Sequence, residues 1–120
     1  MTPHLDWIEE FPSAITVSDR EGIIVAMNRV AREVFAADGG AALLGTSVFD
    51  CHPEPSRSLL QDMFRLRREH HYTIRTRTGL HKMIHQVPWF RDGEFAGFVE
   101  ISLAVPDRLP HFDRSPAATT

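Results

Sequence analysis

Apolar and polar residues alternate with a period of two near both ends of the chain and with a helical period between them. The alternation predicts five strands, at 14–18, 23–27, 72–77, 80–91 and 94–105. Turn-forming residues separate consecutive strands at 19–22, 78–79 and 92–93. Because the connections within each group are short, we expect antiparallel hairpins.

Helical spacing predicts three helices and a compact stretch of short helical turns at 41–53. The first helix follows Thr2-Pro3 and ends at Phe11. The second is capped by Asn28. The longest helix, at 55–70, carries one apolar stripe, made of Leu59, Leu60, Met63, Phe64 and Leu66. His70 and His71 would end it, where a cation suits the helix dipole.

This order predicts an α+β domain in which the helices cross one face of an antiparallel sheet. We expect an amphipathic N-terminal helix at 1–11, the domain at 12–105 and a flexible tail at 106–120. The space between the helices and the sheet is where a small ligand could bind.

Composition narrows the function classes. The chain has 120 residues and a net charge of −3, and its basic run at 65–68 is offset by Asp62 and Glu69, so we expect no direct contact with nucleic acid. Cys51 is the only cysteine, which excludes an intrachain disulfide and suits a reducing compartment. No apolar run is long enough for a membrane span, and the N-terminus lacks a signal core. We expect a soluble, cytoplasmic protein.

Three segments together resemble the PAS domain family. The first is the pattern Asp19-x-x-Gly22-Ile23-Ile24-x-x-x-Asn28-x-x-Ala31-x-x-x-Phe35, the second is LLGTSVFDCHPE at 43–54, and the third is VPWFRDGEFAGFVEISLAV at 87–105. The resemblance implies the PAS fold, a five-stranded antiparallel sheet in the order 2-1-5-4-3 with helices over one face. It also implies a sensory or dimerising role in bacterial signal transduction, such as transcription regulation, rather than catalysis. The last two segments also resemble PAS modules attached to hemerythrin-like domains.

The resemblance allows each cofactor class to be tested. Flavin-binding members carry Gly-x-Asn-Cys-Arg, whereas here Thr46, Ser47 and Val48 follow Gly45, so we do not expect flavin. The stretch at 53–58 resembles Pro-Glu-Pro-x-Arg-Ser, which precedes the iron ligand in oxygen-sensing haem members. The ligand position falls on Leu60, which cannot bind iron. His52 is the remaining haem candidate.

Other candidate chemistry is weaker. Cys51 and His52 are adjacent, so they do not form a ready chelate, and the alternative is that Cys51 is a small buried hydrophobe and His52 a capping or surface residue. His81 and His85 would lie about 13 Å apart on a strand, too far to share a metal. We expect no metal site, no catalytic residues and no enzyme activity, because no nucleophile signature or phosphate loop occurs. Histidines that titrate near neutrality leave pH sensing open.

The leading hypothesis is a sensory module with a small ligand between sheet and helices. Its predicted lining is Val25, Met27, Val34, Phe35, Met63, Phe64, Leu66, Met83, Val87, Val99 and Ile101. The alternative is a ligand-free homodimerisation module whose interface contains Leu5, Trp7, Ile8, Phe11, Trp89 and Phe98. A haem sensor that uses His52 is the third hypothesis. In each case the chain would act on a partner protein or on an output domain of a larger regulator.

Overall fold

The structure is a computed structural model that describes residues 6–116. Five strands form one antiparallel sheet in the order β2-β1-β5-β4-β3, which confirms the predicted PAS topology. The strands are β1 Ala14–Ser18, β2 Ile24–Met27, β3 His70–Arg75, β4 His81–Arg91 and β5 Glu94–Ala104. The turn at 92–93 has two successive residues with positive φ, 52° and 82°, as expected of a tight Asp-Gly hairpin.

Within residues 6–116, three α-helices lie outside the sheet, α1 Asp6–Glu10, α2 Arg29–Val34 and α3 Ser56–Leu66. Two 3₁₀ turns, Ala36–Asp38 and Gly40–Leu43, follow α2. The predicted helix start at Thr2-Pro3, and Leu5, lie outside the described residues. No helix within residues 6–116 is long and apolar enough to cross a membrane.

The longest helix is shorter than predicted. It ends at Leu66 because Arg67 adopts a left-handed conformation, with φ of 53° and ψ of 45°. The prediction that His70 and His71 end this helix is therefore wrong, since both belong to β3.

Asn28 is the junction between the N-terminal segment, the sheet and α2. Its side chain is 2% exposed, and its Oδ1 accepts hydrogen bonds from the backbone N–H of Ile15 at 2.9 Å and of Ala31 at 3.0 Å. Its Nδ2 donates to the carbonyls of Ile8 at 3.0 Å and Ser13 at 2.8 Å. One buried amide thus caps α2, as predicted, and also fixes the chain that enters β1.

The register decides which residues face the helices. Thr16 lies opposite Glu100, and Glu100 lies opposite Gln86, so these three side chains share one face. The same face carries Phe98, which packs with α3 residues Leu60, Met63 and Phe64 in a buried cluster. A second cluster, of Ala14, Ile24, Met27 and Ala31, joins the sheet to α2.

The predicted faces of the last two strands are inverted. Ile101, Met83 and Val87 were expected under the helices, but alternation places them on the opposite face from Glu100 and Gln86. If the inward-facing positions of a strand are assigned one residue out of step, every side chain is placed on the wrong face. Phe98, predicted for an outer surface, is 6% exposed and belongs to the core.

The segment after β5 begins against the sheet. The side chain of Asp107 is 2.8 Å from Arg75 of β3 in an ion pair, and the Arg75 guanidinium holds the pKa of that carboxyl below its usual value. The backbone N–H of Val105 donates to His81 O at 2.9 Å. Residues 105–115 contain neither helix nor strand.

Candidate functional site

A cavity of about 410 Å³ opens between the sheet and the helices, in the range of small-molecule sites. Its floor is formed by β1, β4 and β5. Its walls come from α3, from Phe35 at the end of α2, and from the segment between these helices, including Leu43 and Val48. The cavity is partly open to solvent.

The floor carries a fixed polar group. Gln86 Nε2 donates to Glu100 Oε1 at 2.8 Å, and Gln86 Oε1 is 3.2 Å from His70 Nδ1. The two contacts orient the amide of Gln86 and hold the carboxylate of Glu100 in place on the floor. Thr16, which lies opposite Glu100 in β1, brings a hydroxyl to the same surface.

Glu100 also acts on its surroundings through its charge. Burial raises the pKa of the Tyr72 phenol, and the negative charge of Glu100 raises it further. Tyr72 stands on β3 at the edge of the sheet. The charge of Glu100 therefore reaches as far as β3.

The hydroxyl of Ser18 already has hydrogen-bond partners within the protein. It donates to Phe98 O at 3.4 Å, and it accepts from the backbone N–H of Phe98 at 3.3 Å. Both contacts join β1 to β5 just beyond Val17, the last residue of β1 that is paired with β5. Ser18 thus lines the cavity but has little capacity left for a ligand.

His52 and Cys51 lie at the cavity wall before α3. His52 Nδ1 is 2.6 Å from Val48 O, so Nδ1–H donates to this carbonyl and Nε2 of the neutral ring is a free acceptor. Cys51 is exposed, and its Sγ lies 3.6 Å from Ser47 O. The expectation of a buried Cys51 is wrong, because Cys51 ends a turn at residues 48–51 and is exposed.

Aromatic rings pack against one another around Phe64 and Phe98, which line the cavity. The ring centroid of Phe64 is 4.6 Å from that of Phe98 and 5.0 Å from that of Phe49. Phe95 completes this group at 6.1 Å from Phe64. Such contacts stabilise the core by about 0.5–1.5 kcal/mol per pair beyond burial, so they fix the position of Phe98 below α3.

Four predicted lining residues border the cavity, Met27, Phe35, Phe64 and Val99, although alternation along β5 places the side chain of Val99 on the opposite face from Glu100. Three others, Val25, Val34 and Leu66, are exposed, so their assignment to the lining is wrong. Met63 is buried in the α3 cluster beside the cavity. Met83, Val87 and Ile101 are on the opposite face of the sheet, as described above.

Sequence reasoning missed the polar floor. Thr16, Gln86 and Glu100 sit at alternate positions with the buried residues Ala14, Ile84 and Phe98. Each polar residue lies two positions from an apolar one and therefore on the same face of its strand, which was a signal that the polar groups point inward. The predicted lining instead took Val99 and Ile101 from β5, the positions that alternate with Glu100.

The residues predicted for a dimer interface lie in different parts of the structure. Trp7 of α1 is 60% exposed, and its ring meets Phe11 edge-on at 6.2 Å, while Ile8 and Phe11 are half-buried. Trp89 is half-buried on β4 and donates its Nε1–H to Ser18 O. Leu5 lies outside the described residues, and Phe98 lies in the core.

The histidines of the last strands do not gather into a metal centre. His71 Nδ1 is 2.8 Å from His85 Nδ1 across β3 and β4, and His71 Nε2 is 2.9 Å from Glu69. His81 instead lies near Asp107, at 3.7 Å. Within residues 6–116 no three His, Cys, Asp or Glu side chains are grouped to hold a metal ion.

Comparison with known proteins supports the fold. A family model described as the PAS fold matches residues 8–109. No curated protein matches the chain. Similar solved structures include a C-terminal domain from Streptococcus mutans, with a TM-score of 0.67 and 20% identity over 81% of this chain and 78% of that one.

Two further solved structures are similar. The Aer2 receptor from Vibrio cholerae, described as a dual PAS-heme oxygen sensor, has a TM-score of 0.59 and 17% identity over 78% of this chain and 95% of that one. The PAS domain of Bordetella pertussis BvgS has a TM-score of 0.57 and 21% identity over 84% and 82%. At these identities the similarity establishes the architecture.

Proposed function

Because the chain belongs to the PAS family, whose model covers residues 8–109, we propose that it is a sensory module of signal transduction that binds a small ligand between its sheet and its helices. The observation that carries this proposal is the cavity of about 410 Å³, which has a polar floor under largely apolar walls. That combination is typical of small-molecule sites, because apolar walls supply affinity and a few polar groups supply orientation.

The sheet provides a route from the cavity to a partner. Glu100 faces the cavity, and its chain neighbours Val99 and Ile101 face the other side of β5. A ligand that shifts Glu100 therefore shifts the outer face of the same strand. A ligand changes the output to the extent that it binds one arrangement of the sheet more tightly than another.

Haem fits this cavity poorly. His52 offers a free Nε2, a suitable axial ligand. However, Asp38 and Glu100 line the cavity, and within the described chain no Lys or Arg lines it to bind the carboxylates of haem. The resemblance of residues 53–58 to oxygen-sensing haem members places the iron ligand at Leu60, which cannot bind iron. We expect haemin to produce no Soret shift that depends on His52, and a shift lost in His52→Ala would support the haem hypothesis.

A second candidate function is homodimerisation through the outer face of the sheet. Val17, Val99 and Val87 lie opposite one another across β1, β5 and β4, and all three are half-buried. Ile101 and Leu103 extend this apolar surface along β5. A contiguous apolar surface of this kind favours association with a partner.

Native mass spectrometry of the purified protein tests both proposals, because it reports bound small molecules and the number of subunits together. We expect a ligand adduct that is lost in Leu60→Trp, which fills the cavity, and is kept in Leu59→Trp, on the exposed side of α3. An adduct that survives Leu60→Trp would place the ligand elsewhere.

Native mass spectrometry also tests the dimer proposal independently of the ligand proposal. Ile101→Arg puts a charge on the outer face and should convert dimers to monomers, whereas Val25→Arg, at an exposed position of β2, should not. A monomeric wild-type protein across the micromolar range would rule out the dimer.

A further inference from the structure

We propose that the cavity selects a cationic small molecule, an alkylamine or amidine that carries an apolar body and directs its N–H donors at Glu100. This inference rests on the proposed ligand-binding function and adds the chemical class of the ligand. It follows from the charge of the lining, from the balance of donors and acceptors, and from the position of the apolar surface.

The charge of the lining is one-sided. Asp38 and Glu100 both border the cavity, and the part of the chain that the structure describes brings no Lys or Arg side chain to it. Asp38 is exposed, so water screens its charge, whereas Glu100 is half-buried. The half-buried carboxylate repels an anion and attracts a cation more strongly than a carboxylate on an open surface, because less water screens it. Ligands with a carboxylate or phosphate group are therefore disfavoured.

The polar groups of the cavity also have more acceptors than donors. The carboxylate of Glu100 accepts one hydrogen bond from Gln86, which leaves most of its lone pairs for a ligand. In the neutral imidazole of His52, Nε2 is an acceptor because Nδ1–H is bonded to Val48 O. On the donor side, Ser18 is satisfied by Phe98, and one of the two N–H groups of Gln86 Nε2 is bound to Glu100, which leaves the second N–H and the Thr16 hydroxyl against a larger number of acceptor lone pairs. A ligand with several N–H donors complements this arrangement.

The apolar surface lies beside the carboxylate. Phe98 is two residues from Glu100 on the same face of β5, and Phe64 and Leu60 of α3 stand above it. A ligand whose charged group meets Glu100 would therefore place its body between the sheet and α3. Charge-assisted hydrogen bonds are roughly twice as strong as neutral ones, so the charged end would fix the orientation of the ligand.

Three probes of similar shape test the charge preference on the wild-type protein: 2-phenylethylamine, 2-phenylethanol and 3-phenylpropionate. We expect calorimetry at neutral pH to show the amine binding about tenfold more tightly than the alcohol and the acid more weakly than either. Equal affinities, or tightest binding of the acid, would overturn the inference.

Variants test the contact itself. Glu100→Gln keeps the shape of the side chain and should lower the affinity for the amine about tenfold while leaving that for the alcohol nearly unchanged. Asp38→Asn should lower it less, and the matched control Glu94→Gln, in the exposed hairpin of the same strand, should not change it. An unchanged affinity in Glu100→Gln would overturn the contact.

The experiment also distinguishes this inference from the function on which it rests. If amine and alcohol bind equally and Leu60→Trp abolishes both, the cavity is a ligand site but the proposed selectivity is wrong. If none of the three probes binds to the wild-type protein, and no adduct is seen by native mass spectrometry, both proposals are wrong.

Discussion

Trp89 donates its indole N–H to the backbone carbonyl of Ser18 at 3.0 Å, although β5 lies between their strands. The bond can form because Gly97 lies opposite Trp89 on β5 and presents no side chain. A Cβ at Gly97 would collide with Ser18 O and lie 2.7 Å from the carbonyl carbon of Asp19. This close approach ties together the three strands that form the floor of the cavity.

Gly97→Ala should be among the most destabilising small substitutions in the chain. Its φ of 144° is unfavourable for alanine, and the obstacle is backbone, which cannot move aside. We expect a loss of more than about 3 kcal/mol in the free energy of unfolding, measured with urea. Gly79→Ala, at φ 89° with no atom near the added methyl group, should lose only about 1–2 kcal/mol. Equal losses would show that the collision is relieved.

Asn28→Asp should loosen the N-terminal segment more than it harms the cap of α2. A carboxylate still accepts from Ile15 and Ala31, but it places an oxygen against the carbonyls of Ile8 and Ser13, where the amide had donated. We expect a loss of about 2–4 kcal/mol in urea unfolding and faster hydrogen exchange in α1. The same amide-to-carboxylate change at the exposed Gln61 should have little effect, and equal effects would contradict the junction role.

Local signals predicted the elements, while the cavity depended on information that is not local. The Asp92-Gly93 turn, the Asn28 cap and the strand at Ala14–Ser18 each follow from a few neighbouring residues, and all are observed. The sequence of β5 alone does not show which of its two faces points toward the helices, because both faces carry apolar residues. Its register with β1 and β4 places Glu100 inward, and that register is a tertiary property.

The end of α3 shows a similar limit. The sequence at 67–71 continues a helical pattern of charged residues, and propensity favoured extending the helix to His71. In the structure the pairing of His70 with Gln86 and of His71 with His85 draws this segment into the sheet. Tertiary hydrogen bonding therefore overrides a local preference, and it brings His70 against the Gln86 amide on the floor.

Phe98→Ala should destabilise the monomer without changing its association. The side chain is buried between β5 and Phe64, so its removal leaves a void under α3. We expect a loss of about 3–5 kcal/mol in urea unfolding. If the outer face forms a dimer, sedimentation velocity should show the same association for Phe98→Ala as for the wild type, and a lower one for Ile101→Arg. A Phe98→Ala protein of normal stability that no longer associates would contradict its place in the core.

The docking of α1 should depend on pH through Glu9. Its carboxylate pairs with Arg32 of α2 at 2.6 Å, and the hydrogen bond from that guanidinium lowers the pKa of Glu9 below 4.5. The folded-state pKa is depressed, so the pair stabilises the protein above pH 4.5, and this contribution is lost as the pH falls through the lowered pKa. Glu9→Gln should therefore be less stable than the wild type at pH 6, and the difference in melting temperature should shrink toward pH 3. The matched control is Glu10→Gln, because the Glu10 carboxylate is largely exposed and 3.9 Å from Arg29. Its melting temperature should change with pH as that of the wild type does. A difference between Glu9→Gln and the wild type that stays constant from pH 6 to pH 3 would show that the effect of Glu9 is not electrostatic.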